Sequence, residues 1–208
     1  QTLALLKRGK AVGLVGGDHS TPLGFYEALA QQHQRFAILH IDAHLDLREA
    51  YEGFTYSHAS IMYNALQIEG IEKITSVGIR DFGQRELEMA ENDKRIEVFY
   101  DRDIKNRQYK GESWGKIVDE IVEHLPQKVH ISLDIDGLDP KLAPNTGTPV
   151  PGGFEMAEVF YLFNTLVDSG REIIGFDLVE VAPGEDDWNG NVGARVLYKL
   201  CNLMLKSR

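Results

Sequence analysis

Six short apolar runs of five or six residues recur along this chain, and segments with helical spacing separate them. The runs are Ala11–Val15, Phe36–Ile41, Ile74–Gly78, Ile96–Tyr100, Val129–Asp134 and Ile173–Leu178. Their continuous apolar character, without polar alternation, predicts strands covered on both faces. Between and after them lie the helical patterns Leu23–Gln32, Ala59–Gln67, Arg85–Asn92, Trp114–His124, Glu155–Val167 and Val192–Lys206. In the last of these, Val192, Val196, Leu197, Leu200, Leu203 and Met204 return every three or four residues, an amphipathic stripe. Strand-then-helix repetition predicts an α/β fold, a parallel sheet with helices on both faces. No repeat, low-complexity segment or linker divides the chain, so residues 1–208 read as one domain.

In such a sheet, ligands bind beyond the carboxyl ends of the strands. Four segments place acids or imidazoles there: Gly16-Gly17-Asp18-His19-Ser20, Asp42-Ala43-His44-Leu45-Asp46, Asp134-Ile135-Asp136-Gly137-Leu138-Asp139-Pro140, and Val179-Glu180-Val181. Residues i and i+2 of an extended segment point to the same side, so Asp42 pairs with His44 and Asp134 with Asp136. A single aspartate at a strand end is ordinarily a turn former or helix cap. Asp42, Asp46, Asp134 and Asp136 sharing one pocket is a different matter, because close carboxylates resist joint ionisation. Divalent cations remove that objection. Four aspartates and two neutral histidines around two M²⁺ ions carry no formal charge, and an added hydroxide makes the site anionic, suited to a guanidinium. Oxygen-rich ligation with some imidazole and no thiolate favours a hard ion such as Mn²⁺ over a structural zinc, with Co²⁺, Ni²⁺ and Zn²⁺ left open. Asp18 and Asp139 read as structural, bonding backbone or neighbouring ligands. His33, His40, His124 and His130 carry no motif and read as surface or core histidines.

Composition narrows the partners. The 32 acidic residues against 22 basic give a formal charge of -10, which argues against general nucleic-acid binding. Cys201 is the only cysteine, so neither an internal disulfide nor a thiolate cluster is available. No apolar run reaches the roughly 18 residues of a membrane span, and no signal peptide is visible, so the cytoplasm is the expected compartment.

The motifs Gly-Gly-Asp-His-Ser, Asp-Ala-His-Leu-Asp and Ser-Leu-Asp-Ile-Asp-Gly-Leu-Asp-Pro resemble those of the arginase, agmatinase and formimidoylglutamase family, the ureohydrolases. The loop Asn145–Gly153 and the segment Asp177–Pro183 resemble it as well. The resemblance implies an arginase-like three-layer α/β/α fold with a mainly parallel sheet, and a hydrolase acting on C–N bonds of linear amidines. It also implies two Mn²⁺ ions per chain. His19, Asp42, Asp46 and Asp134 would hold one ion, and Asp42, His44, Asp134 and Asp136 the other, with Asp42 and Asp134 bridging. Hydroxide supplied by the ions would attack the guanidino carbon, oriented by Asp46. Glu180 would pair with the substrate cation, and His58 would relay protons to the departing amine, a task suited to a group titrating near neutrality.

Arginases carry Ser-Gly-Asn before the relay histidine and an aspartate two positions past an Arg-Asp pair. Here Phe54-Thr55-Tyr56-Ser57 precedes His58, and Gly83 follows Arg80-Asp81-Phe82. Asp-Leu-Arg followed by Tyr-Ser-His-Ala looks closest to agmatinases, so agmatine, cleaved to putrescine and urea, is the expected substrate. Formimidoylglutamase or arginase activity is the alternative; for formimidoylglutamate, Arg48 or Arg80 would supply a cation for the carboxylates. A single-zinc deacylase and a non-catalytic metal-binding relative are the readings from other classes; His19 and Asp46 speak against the deacylase. In the family the Gly-Gly-Asp-His motif lies further along the chain than Gly16, so the usual N-terminal portion is expected to be missing. The resemblance also implies a homo-oligomer.

Overall fold

The computed structural model describes residues 1–208. Six parallel strands form one sheet: β1 (Gly13–Val15), β2 (Phe36–Ile41), β3 (Ile71–Ile79), β4 (Ile96–Tyr100), β5 (Lys128–Asp134) and β6 (Glu172–Val179). Their spatial order is β1-β6-β5-β2-β3-β4. From β2 the chain steps outward through β3 to β4. It then returns to the other side of β2 as β5 and moves away as β6, so the direction of winding reverses between β2 and β5.

The helices are α1 (Thr2–Lys7), α2 (Leu23–Gln32), α3 (Ile61–Ala65, entered through a 3₁₀ turn at His58–Ser60), α4 (Gln84–Asn92), α5 (Asp101–Tyr109), α6 (Trp114–Glu123), α7 (Met156–Asp168) and α8 (Trp188–Lys206). They make this a three-layer α/β/α fold. Alternation along the strands assigns the two faces. In β2, Ala37, Leu39 and Ile41 join the core under α6, α7 and α8, while Phe36 and Ile38 join a second core with residues of α1 to α4. Every residue of β2 is buried, which explains why the central strands lack a polar face.

All six expected strands are present, β3 starting earlier than the apolar run and β1 later. Two helices were not anticipated. In α1 only Leu6 is buried, and in α5 only Asp101 and Ile104. Neither presents a repeating apolar stripe, so periodicity could not reveal them. The helix expected at Ala59–Gln67 is a 3₁₀ turn and a short α-helix. No helix is long and apolar enough to cross a membrane.

Candidate metal centre

The winding reversal leaves a crevice beyond the carboxyl ends of β2 and β5, where an open α/β sheet binds ligands. Asp42 follows β2, and Asp134 closes β5. Loops after the flanking strands complete the cluster. The loop after β1 brings His19, whose backbone N–H donates to Glu180 Oε1 at 2.9 Å, while the Glu180 N–H returns to the Gly17 carbonyl at 2.8 Å. These two bonds lock the β1 and β6 loops together.

His19 Nδ1 lies 3.0 Å from Asp42 Oδ2, 3.1 Å from Asp46 Oδ2 and 3.3 Å from Asp134 Oδ2, in a pocket where His19 is 1% exposed. It faces all three oxygens yet lies along the hydrogen-bond direction of none, and so stands as a buried nitrogen without a partner. A cation among these atoms would satisfy both nitrogen and carboxylates. A second group forms where His44 Nδ1 lies 3.1 Å from Asp136 Oδ2 and 3.3 Å from Asp42 Oδ1. Asp42 is common to both groups. The donor atoms of His19, His40, Asp42 and Asp46 fall within 4.8 Å of one another, as do those of Asp42, His44 and Asp136. Asp134 stands slightly outside the tighter group, facing His19. The donor set is oxygen-rich with imidazole and fits a pair of hard divalent ions.

Backbone donors hold the carboxylates in place. The His44 N–H reaches Asp42 Oδ1 at 2.6 Å, the Asp136 N–H reaches Asp134 Oδ1 at 2.9 Å, and the Ala43 N–H reaches Asp136 Oδ1 at 3.0 Å. Thr148, from the loop after β5, adds its hydroxyl to Asp136 Oδ2 at 3.2 Å.

In the metal-free protein, protons take the place of cations. Burial depresses His44, but hydrogen bonds and charge from Asp136 and Asp42 outweigh it and raise its pKa to about 11. His19 is likewise pushed well above its usual value, its burial outweighed by Asp134, Asp42 and Asp46. Burial and neighbouring carboxylates raise Asp134, Asp136 and Asp46. Asp42 alone falls well below the ordinary range, because surrounding histidines outweigh its burial. Glu180 is raised, chiefly by burial.

The cluster opens into a cavity of about 170 Å³ that also meets His58, Glu180, Arg48, Tyr51, Asp81 and Phe82. The catalytic and metal candidates named from sequence thus surround one space: His19, His44, Asp46, His58, Asp134 and Glu180 line it, with Asp42 and Asp136 buried behind. Arg80 does not open into this cavity. Its guanidinium donates to the carbonyls of Asp136 at 2.7 Å and Val150 at 2.8 Å, with longer bonds to Gly78 and Leu138, and so pins the 134–153 loop to β3. It is not free for a substrate carboxylate, contrary to one sequence expectation. Arg48 does line the cavity, but it stacks on Tyr51 at 5.1 Å and lies 3.5 Å from Glu86.

His40, Ser132 and Asp177 escaped the sequence reading as site components. His40 Nε2 lies 2.8 Å from Asp42 Oδ2, and Ser132 Oγ lies 2.9 Å from His19 Nε2. The signal was available: His40 precedes Asp42 by two, and Ser132 precedes Asp134 by two, so alternation turns them to the ligand side.

The arginase family matches residues 1–203 of this sequence. This chain belongs to the arginase family. It is 35% identical to the N(1)-aminopropylagmatine ureohydrolase of Thermus thermophilus over 203 residues, 98% of this chain and 66% of that protein. It is 34% identical to the agmatinase of Bacillus anthracis over 186 residues, 88% of this chain and 59% of that one. Among solved structures, the proclavaminate amidino hydrolase of Streptomyces clavuligerus superposes with a TM-score of 0.85 at 28% identity, covering 100% of this chain and 68% of its own. The chain therefore spans two thirds or less of the length of these two curated relatives.

Proposed function

We propose that this arginase-family chain is a ureohydrolase using two Mn²⁺ ions, with agmatine or a closely related guanidinoalkane as substrate. The observation that carries this reading is His19 Nδ1, buried and unpartnered, facing the oxygens of Asp42, Asp46 and Asp134. His19, Asp42, Asp46 and Asp134 would hold one ion, and Asp42, His44, Asp134 and Asp136 the other. Such ions supply Lewis-acid polarisation and a water of lowered pKa.

The remaining work falls to side chains. Glu180, lining the cavity and fixed by the His19 N–H, pairs with the guanidinium and positions its carbon. Asp46 accepts a hydrogen bond from the attacking water and aims it. As the new C–O bond forms, the bond from the guanidino carbon to the chain nitrogen breaks. His58 passes a proton to that nitrogen, so that it leaves as an amine and the remainder departs as urea. Tyr51 and Phe82 offer aromatic walls to a methylene chain, and the exposed Asp81 carboxylate offers a partner to a distal ammonium. This favours an amine tail over a carboxylate tail, since Arg80 is spent on backbone carbonyls and Arg48 already faces Glu86. The names of the relatives, agmatinase and N(1)-aminopropylagmatine ureohydrolase, favour the same class. Homo-oligomerisation belongs to the same reading and is checked by light scattering.

The test is urea release by Mn²⁺-loaded protein from agmatine, arginine and 4-guanidinobutyrate, with formimidoylglutamate hydrolysis followed separately. Turnover of agmatine above the rest is expected. Preference for 4-guanidinobutyrate or formimidoylglutamate would overturn the amine-tail assignment. No turnover of any of them by fully loaded protein would overturn the hydrolytic one.

A further inference from the structure

Beneath the ligands, a single polar row crosses the four central strands. Ser76 on β3 is the register partner of His40 on β2, His40 that of Ser132 on β5, and Ser132 that of Asp177 on β6. All four are at most 2% exposed. A buried, acceptor-only carboxylate in mid-sheet is costly unless donors surround it. Asp177 has Ser132 Oγ at 2.9 Å on Oδ1 and His130 Nε2 at 2.6 Å on Oδ2, and the Tyr26 hydroxyl of α2, 3.2 Å from Oδ2 and 3.0 Å from Ser132 Oγ, has one proton to give to either.

Proton counting fixes the direction of the chain. Ser132 has one hydroxyl proton, and it is given to Asp177, so its approach to His19 Nε2 at 2.9 Å makes Ser132 the acceptor and Nε2 the donor. With Nε2 committed to Ser132, Nδ1 is the nitrogen left to face the acidic cluster, and its lone pair would become available to a metal once its proton is displaced. Across the row the logic is mirrored. Asp42 accepts only, so His40 Nε2 donates to it, and His40 Nδ1 accepts the Ser76 hydroxyl at 3.1 Å. The two chains converge on Asp42 Oδ2, which lies 3.0 Å from His19 Nδ1.

We propose that Ser76, His40, Ser132 and Asp177 form a positioning row for the metal centre: Asp177 acts through Ser132 to present His19 with Nδ1 facing the acidic cluster, and His40 anchors Asp42. This rests on the reading of the acidic cluster as a metal centre. A row that served only the packing of the sheet would affect stability and leave metal retention alone.

The experiment measures Mn²⁺ affinity of the full chain by competition with a chelator, beside the melting temperature without metal, for wild type, S132A, D177N, H40L and H40Q. S132A and D177N are expected to bind Mn²⁺ about 10–100-fold more weakly. H40L should weaken binding similarly, whereas H40Q, which keeps an N–H for Asp42, should stay within about threefold of wild type. Unchanged affinity in S132A and H40L, whatever their melting temperatures, overturns the positioning role. S132A removes only one hydroxyl, so it keeps the question answerable if D177N does not fold. Failure of the wild type itself to bind Mn²⁺ overturns the metal centre and the row with it, an outcome distinct from tight binding that the variants leave unmoved.

Discussion

Asp46 and Glu180 both hold left-handed backbone conformations, with φ of 53° and 61°. For residues other than glycine such a conformation costs about 1–3 kcal/mol and is kept only where the surroundings enforce it. Here both residues turn a carboxylate into the cavity, one beside His19 Nδ1 and the other onto the His19 N–H. His58 lines the same cavity, edge-on to Tyr51 at 5.4 Å, and bonds no carboxylate of the cluster. Replacing it by Asn should therefore lower kcat about 10²–10⁴-fold, the usual worth of a positioned proton-transfer group, while two Mn²⁺ ions still bind. Steady-state kinetics with metal analysis checks this, and loss of metal in H58N would reassign the residue. A second expectation concerns pH. The folded pKa of His44, about 11, lies above its ordinary value of 6.5, so the folded metal-free protein binds that proton more tightly than the unfolded chain. The stabilisation is complete below pH 6.5 and is lost as pH rises through about 11. The melting temperature of metal-free protein should fall across that window, and Mn²⁺ should flatten the fall. A rise with pH in metal-free protein would contradict it.

At the level of elements, the 134–153 loop depends on β3. Arg80 satisfies carbonyls of that loop, and Gly153 (φ 94°) packs so closely that a Cβ would stand 2.8 Å from the Gly137 carbonyl oxygen and 2.9 Å from Arg80. R80M should cost about 1–3 kcal/mol through unsatisfied carbonyls. G153A should cost a comparable amount, because the methyl meets backbone at a φ that alanine resists. Both should loosen Thr148 from Asp136, and urea denaturation with Mn²⁺ titration would register the two effects. Unchanged stability in R80M would show that the loop holds itself. The same contrast explains what the sequence revealed. Strands such as Phe36–Ile41 were legible because both faces are buried, and α8 because its apolar stripe repeats over about three and a half turns from Val192 to Met204. Helix α5 was not, since Asp101 and Ile104 are its only buried residues.

Across the whole molecule, the reversal of winding between β2 and β5 gathers loops distant in sequence into one acidic pocket. The acidic residues of that pocket were legible because each follows an apolar run at the strand end where ligands bind. Alternation could turn His40 and Ser132 of the polar row beneath them to the ligand side, but their pairing with Ser76 and Asp177 depends on cross-strand register that the sequence does not display. Such convergence of carboxylates is tenable without metal because His19 and His44 keep protons and Asp46, Asp134 and Asp136 hold theirs more tightly than usual. Loaded with ions, the site needs none of these protons on Nδ1, so metal binding should release protons and raise the melting temperature. The most direct test is the number of Mn²⁺ ions held per chain at equilibrium, by titration calorimetry checked by elemental analysis. Two ions per chain, with protons released on binding, is the expected result. One ion or none would contradict the two-ion centre on which the proposed hydrolysis rests.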